Sequence, residues 1–344
     1  MVEVTREGSM AVYNELLKNP PPGPEVPYKP PRPDLVSLDG RSVVAIVRSN
    51  NRVEGINEAI WLAGGFRPIV RDTEGEVLIK PNCNTDDPYP TDTHPETIRT
   101  IAEGLLSAGV SKDRIVVGEI SGRARGLPTR HTVENLGIKA VAEELGIGLS
   151  YFDEEEWVTV KAPNRDAWPD GIKIPRRVYE AERVILTPIM RPHSTATFTI
   201  SMKLAVGMLD AVGREWLHNE EAHDAKVAEL NTVYSADLIV ADATKMITGR
   251  GPALRNVVEP GIIVAGSNRV ATDAVCVALM KMNWAKRVSD IKVLEHEQFK
   301  VAVRLDLGSP KIEDIDLRVS NMTEDSGFQD IVNGIREELG QNKG

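Results

Sequence analysis

The sequence predicts an α/β protein: a largely parallel sheet with helices on both faces, Rossmann-like, with its site at the carboxyl ends of the strands. Two observations predict it. Short, continuous apolar runs rich in β-branched residues recur along the chain, and segments with helical periodicity separate them. Strands apolar on both sides of the pleat belong to a covered sheet, and intervening helices make neighbouring strands parallel.

The elements follow in order. "SVVAIVRS" (42–49) reads as a buried strand and "VEGINEAIWLAGG" (53–65) as a helix. "EVLIKPN" (76–82) is a second strand, and "HPETIRTIAEGLLSAG" (94–109) a helix closed by Gly109. "DRIVVGEISG" (113–122) is a third strand, "TVENLGIKAVAEELG" (132–146) a helix, and "GLSYFD" (148–153) a short strand. "AERVILTPIM" (181–190), "ADLIVADA" (236–243) and "GIIVAGS" (261–267) are further strands, each ending in polar or glycine residues. "IEDIDLRVSN" (312–321) and "GFQDIVNGIREELG" (327–340) read as an edge strand and a closing helix.

Residues 1–40 form an N-terminal segment, and residues 41–344 the α/β domain, as one unit or as two lobes (41–160 and 161–344). Within the first segment, "PPPGPEVPYKPPRP" (20–33) is a proline-rich arm that cannot join a central strand. It dangles, lies along its own domain, or reaches a neighbouring subunit in a homo-oligomer. Val26, Tyr28 and the preceding "MAVYNELL" are apolar anchors that favour packing.

Composition narrows the function classes. The 51 acidic against 41 basic residues give a net charge of -10, which opposes binding to nucleic acid or an anionic membrane. Two cysteines are too few for an iron–sulfur cluster, so none is expected. The N-terminus lacks the apolar core of a signal peptide, and no run has the length of a membrane span, so a cytoplasmic location is expected.

Ligands in open α/β sheets bind beyond the carboxyl ends of the strands, so residues just after each apolar run are the candidates. In "IKPNCNTDDPYPTDTHPET", Lys80 and Asn82 leave a strand. Thr93 and Glu96 have capping-box spacing, which places His94 in the first helical turn. A lysine, a histidine and a helix start suit an oxyanion. Cys83 beside His94 is a weaker nucleophile candidate. "GEISGRARG" supplies Glu119, as base, metal ligand or ion-pair partner, and Arg123 as an anion contact. Arg191 and His193 follow the strand ending at Met190.

The run Phe198–Leu209 is apolar nearly all round apart from one helical face, on which Thr199, Lys203 and Gly207 are spaced by four. A buried ammonium is costly unless it is paired or neutral. Lys203 therefore faces an anion, is neutral at working pH, or reaches solvent along its stem. His218 and His223 are five apart, which disfavours a two-histidine zinc helix. "ADATKMITGRGP" ends a strand in Asp242 and turns through Gly249, Arg250 and Gly251; "SNRVATDAVC" starts a helix near Asn268 with Asp273 one turn inside. Asp242 and Glu119 are the candidate ligands for a divalent metal.

Taken in order, "VLIKPN", "THPE", "IVVGEISG", "RPH", "MKLAVG", "GREWLH", "DLIVADATKMITGRGP" and "IIVAGSNRVATDAV" resemble the domain of unknown function 362 family over about residues 76–280. Lys80, Pro81, Asn82, His94, His193, Lys203, His218, Asp242 and Asp273 match it. The chain departs at "MRPH", where the family usually has lysine–threonine–histidine, and at "MKL", where asparagine usually follows the lysine. It also has glycine–serine–asparagine in "GSNRVATD", where an aspartate is frequent. Many members append a ferredoxin-like iron–sulfur module; with only two cysteines here, the redox role inferred from that module is not expected to carry over. More remotely, its sheet and loops are similar to those of lactate racemase-like proteins, which use histidines and lysines around a carboxylate substrate.

The expectation is an enzyme of lyase or isomerase type doing acid–base chemistry (racemisation, elimination or hydration) on a small anionic metabolite. Lys80, Asn82, Arg191, Arg123 and His218 would bind the substrate, while His193, His94 and Lys203 would act on it. Asp242 would orient a histidine or, with Glu119, hold a metal. The alternative is a non-catalytic cofactor-binding or redox accessory protein.

Overall fold

The computed structural model describes residues 3–219, 221–249, 256–282, 285 and 288–340. Eight long strands form the central sheet: β1 (Arg41–Arg48), β2 (Val77–Pro81), β3 (Ile115–Glu119), β4 (Gly148–Tyr151), β5 (Arg183–Thr187), β6 (Leu238–Ala243), β7 (Ile262–Gly266) and β8 (Ile315–Asn321). Their order is β8-β1-β7-β6-β5-β2-β3-β4, and the two-residue strand Ser37–Leu38 adds to β1. Strands from either side of residue 160 join this one sheet.

Seven of the eight run the same way; β7 is antiparallel to both β6 and β1. The reason lies in the connection. Parallel neighbours need a crossover, usually a helix. The described part of the β6–β7 link holds a small hairpin, Met246–Ile247 with Val257–Val258, and no helix. Arg250 and Gly251, assigned to a turn by the sequence, lie outside the described residues.

Both faces of the sheet are covered, as uniformly apolar strands require. Ala45 and Val47 join one core with Ile79, Val117 and Ile263; there they meet Ile56 of α1 (Arg52–Leu62), Ile98 and Ile101 of α2 (Pro95–Ser107) and Ile138 of α3 (Ile138–Leu145). Val44 and Ile46, their neighbours in sequence, point into the other core. It is filled by Leu230 of α4 (His223–Leu230), Val270 and Val277 of α5 (Arg269–Lys281) and Ile335 of α6 (Phe328–Leu339).

The winding determines where a ligand could enter. From β2 the chain steps outward to β3 and β4, then returns to the far side of β2 as β5 and continues to β6. The sheet order therefore reverses between β2 and β5, and such a switch leaves a crevice at the strands' carboxyl ends.

The proline-rich arm packs on its own chain. Glu25–Val26 pairs in parallel with Trp157–Val160, which continues to Ile172–Pro175. Tyr179 Oη donates to Pro27 O at 3.0 Å, and Arg32 meets Asp237 at 2.5 Å. Asp237 also accepts from the Val184 N–H at the start of β5, so this ion pair ties the arm to the sheet. Arg32→Met should lower the unfolding free energy by about 1–3 kcal/mol, less than for a fully buried pair because Arg32 is one-third exposed. Denaturant melts measure this, and an unchanged midpoint would show that the pair does not hold the arm.

Candidate active site

A cavity of about 390 Å³ opens at the carboxyl ends of β2, β3 and β5. Lys80 and Asn82 come from the end of β2, Glu119 and Arg123 from the end of β3, and Arg191 and His193 from beyond β5. Lys203 and His218 complete the wall. Eight of the ten residues singled out in the sequence thus meet in one place, although 138 positions separate Lys80 from His218.

Arg191 and His193 sit on a hairpin in which Arg191 faces Thr199 and His193 faces Thr197. The segment after it departs from the single helix expected for Phe198–Leu209. Thr197–Thr199 is a strand, Ser201–Leu204 one α-turn, and Ala205–Met208 a 3₁₀ turn. The break has a local cause: the buried Asp273 carboxylate on α5 accepts from the Ser201 and Met202 N–H groups and from Ser201 Oγ. It caps a new turn at Ser201 instead of letting a helix run through. Thr199, Lys203 and Gly207 still reach the cavity together. Gly207 is needed there, since a Cβ would lie 2.6 Å from Lys80 Nζ and 2.7 Å from Glu119 Oε1.

The two lysines have opposite circumstances. Lys80 is fully buried, with Nζ 2.5 Å from Glu119 Oε1 and 2.7 Å from Pro81 O. Glu119 accepts further from the Ile120 and Cys83 N–H groups. Burial opposes both charges, lowering the Lys80 pKa and raising that of Glu119, and the contact between them offsets it in part. The Glu119 oxygens proposed for a metal are thereby engaged by a lysine and two amides. Lys203, 6% exposed, has no hydrogen-bond or ion-pair partner at Nζ among the described residues. Burial, and then the Arg214 and Arg191 charges, lower its pKa from 10.5 to about 7.

Arg191 is equally unsatisfied. Its Nε and Nη1 are buried without a hydrogen-bond partner, and burial depresses its pKa. The carboxylate that most favours its charge is Asp92, which accepts from Asn82 Nδ2, the Asn84 N–H and Thr85 Oγ1. Burial pushes Asp92 up to about 7, against the pull of Arg191. Asn82 thus spends its amide on the loop while lining the cavity. Arg214 is buried and donates to the carbonyls of Leu209, Ser121 and Ile120, none of which neutralises it. Arg123 stands at the rim, half exposed and paired with Glu215. Among the described lining residues, five cationic side chains face two carboxylates, in a chain of net charge -10.

Hydrogen bonds assign the two cavity histidines complementary tautomers. His193 Nδ1 accepts from the Thr195 and Ala196 N–H groups, so its proton is on Nε2. His218 Nδ1 is 2.7 Å from the Arg214 carbonyl, which can only accept, so this ring keeps its lone pair on Nε2. Burial first, then Lys203, hold both imidazoles neutral, with His193 down to about 2 and His218 to about 4. One ring offers an N–H and the other a lone pair.

His94 and Asp242 lie outside this cavity. His94 is itself the cap of α2, its Nδ1 accepting from the Glu96 N–H at 3.1 Å, so the helix starts one residue later than the capping-box reading put it. Thr93 is diverted: its hydroxyl accepts from the Asn82 N–H and donates to Thr187 O, joining β2 to β5. Asp242 accepts from Arg52, Tyr89, Thr97 and the Thr244 N–H, which makes it an anchor between elements and leaves it other partners than a metal. Among the described residues no three His, Cys, Asp or Glu side chains are grouped to hold a metal ion. Cys83 lines the cavity, but burial raises its thiol well above the ordinary range, which opposes a thiolate nucleophile.

Sequence reasoning missed Arg214, Asp92 and Tyr13. Arg214 precedes His218 by one helical turn, a usable signal. Tyr13 arrives on the N-terminal helix Arg6–Lys18 and donates to Ala211 O and Glu215; no local pattern predicts that contact.

These features define a mostly parallel α/β protein with a cation-rich cavity at its strand ends. The chain belongs to the family described as domain of unknown function (DUF362), whose model matches residues 77–278. A relative, the thylakoid-associated protein sll1697 of Synechocystis sp. (strain ATCC 27184 / PCC 6803 / Kazusa), is 24% identical over 64% of this chain and 67% of its own. The structure of the lactate racemase apoprotein from Thermoanaerobacterium thermosaccharolyticum is similar with a TM-score of 0.44 and 15% identity. That likeness covers 75% of this chain and 62% of the other. No described helix is long and apolar enough to cross a membrane.

Proposed function

We propose that the cavity binds a small carboxylate or phosphorylated acid and carries out proton transfer beside its acid group. The observation that carries this reading is the Arg191 guanidinium, buried with two N–H-bearing nitrogens unpartnered. A buried, unpaired charge costs several kcal/mol, and an anion that supplied the missing acceptors would remove that cost. Guanidinium also matches an oxyanion in planar, two-point geometry.

The remaining residues then fall into roles. Arg191 holds the acid group, with Arg214 adding positive potential. The Nε2–H of His193 donates to a substrate oxygen. The Lys203 amine, at about 7, and the free Nε2 of His218 are the proton acceptors. Lys80 and Glu119 form the frame behind them. Proton abstraction next to a carboxylate is common to racemisation and elimination, so the reaction type is of lyase or isomerase class.

A thermal-shift panel of carboxylates, phosphorylated acids and their neutral amide analogues tests this. At a ligand concentration of 100 times Kd, binding should stabilise the fold by about 2.7 kcal/mol. The acids should raise the melting temperature, the amides should not, and Arg191→Leu should abolish the response. Amides as effective as acids, or an unchanged response in Arg191→Leu, would refute the reading.

A further inference from the structure

We propose that Lys203 is a covalent nucleophile whose amine condenses with the carbonyl of a 2-oxo acid while Arg191 holds the adjacent carboxylate. This rests on the anion-binding reading above and names the substrate class. Four observations place the reaction at this lysine. Lys203 lines the cavity and is only 6% exposed. Its Nζ has no hydrogen-bond or ion-pair partner among the described residues. The nearby charges that act on it, Arg214 and Arg191, are positive. Its backbone is fixed, because Asp273 caps the turn two residues before it. A desolvated lysine beside other cations is the standard way to make an amine nucleophilic.

Lys80 lacks these properties: its amine is engaged by Glu119 and the Pro81 carbonyl, and the adjacent Glu119 carboxylate favours its charged form. An ordinary lysine is neutral in roughly one molecule in a few thousand at pH 7. With its pKa lowered to about 7, Lys203 is neutral in a large fraction.

The step balances without a redox partner. The nitrogen lone pair adds to the carbonyl carbon, and the C=O electron pair moves to oxygen. The two amine hydrogens then leave with that oxygen as water, and C=N replaces C=O. His193, with its proton on Nε2, can donate to the departing oxygen. An imine withdraws electrons from the neighbouring carbon, which makes a C–H there acidic toward the bare Nε2 of His218.

Borohydride trapping tests the proposal. The full chain is incubated with pyruvate or 2-oxoglutarate and sodium borohydride, with lactate as the control that cannot form an imine, followed by intact-mass measurement and peptide mapping. The expected result is a single reduced adduct on Lys203 with the oxo acids and none with lactate. The adduct should be absent in Lys203→Met, which still melts cooperatively, and trapping should speed up several-fold from pH 6 to pH 8. An adduct on Lys80, or spread over surface lysines, would overturn the proposal. So would pyruvate that raises the melting temperature yet leaves no adduct; Lys203 would then be a binding cation only, and the anion-site reading would survive. If no 2-oxo acid shifted the melt and nothing were trapped, the 2-oxo-acid proposal would fall, and the anion-site reading would be decided by the other acids of the thermal-shift panel.

Discussion

Lys203→Met is expected to fold at least as stably as the wild type and to lose much of its ligand-induced stabilisation, Arg191 retaining weaker binding. Methionine matches the lysine stem, and the Lys203 amine has no partner that its removal would strand. A shift from 10.5 to about 7 represents roughly 5 kcal/mol at the upper end. Relaxation and imperfect repacking reduce the expected gain to about 1–3 kcal/mol. The pH dependence carries a signature. Between about pH 7 and 10.5 the unfolded chain holds a proton at residue 203 that the folded chain does not. Wild-type stability should therefore rise with pH relative to the variant across that window. Arg191 and Arg214 are common to both proteins, and His193 and His218, which lose the Lys203 charge in the variant, titrate below this window, so the rise between about pH 7 and 10.5 isolates Lys203. A variant several kcal/mol less stable would reveal a structural ion pair at this position.

Lys80→Met is expected to do the opposite. It leaves Glu119, 3% exposed, as a buried carboxylate without its cation, at a cost of about 3–5 kcal/mol near neutral pH. Without Lys80 only the Arg214 charge and the Ile120 and Cys83 amides still oppose the burial that already raises the Glu119 pKa. The deficit should therefore grow as pH rises above about 4.5, where the unfolded carboxylate ionises but the folded one resists. Adding Glu119→Gln should recover most of the loss, because a neutral amide needs no counter-ion. Urea melts of the two variants and wild type between pH 5 and 8 measure both effects. Equal midpoints for Lys80→Met and wild type would refute the ion-pair account.

The contrast between these lysines shows what the sequence could and could not disclose. A strand apolar on both faces leaves a continuous run, so β1, β2, β3, β5, β6 and β7 were legible from "SVVAIVRS" onward. The rule that residues after such runs face a common edge places Lys80, Glu119, Arg191 and His193 together. Which lysine was paired was not legible. Glu119 lies 39 residues from Lys80, and no local pattern says that their side chains meet. The turn at Ser201 was hidden for the same reason, since its cap, Asp273, is 72 residues away. His94 misled because a histidine at a helix start suits an anion site, whereas here its ring closes the end of its own helix. The antiparallel β7 was missed because a strand's direction depends on its connection, not on its composition.

The central claim is that an anion settles beside Lys203 and Arg191 and restores the charge that burial and the neighbouring arginines suppress. Its most direct test is proton uptake on binding, measured by calorimetric titration at pH 7.5 in buffers of different ionisation enthalpy. The titrant is the tightest carboxylate from the panel that lacks a carbonyl group. With the amine at about 7, much of Lys203 is neutral before binding, and a neighbouring anion raises its pKa. The account predicts a net uptake of a substantial fraction of a proton per site, shrinking toward pH 6 and absent in Lys203→Met. Binding without proton uptake at pH 7.5, or the same uptake in Lys203→Met, would contradict it.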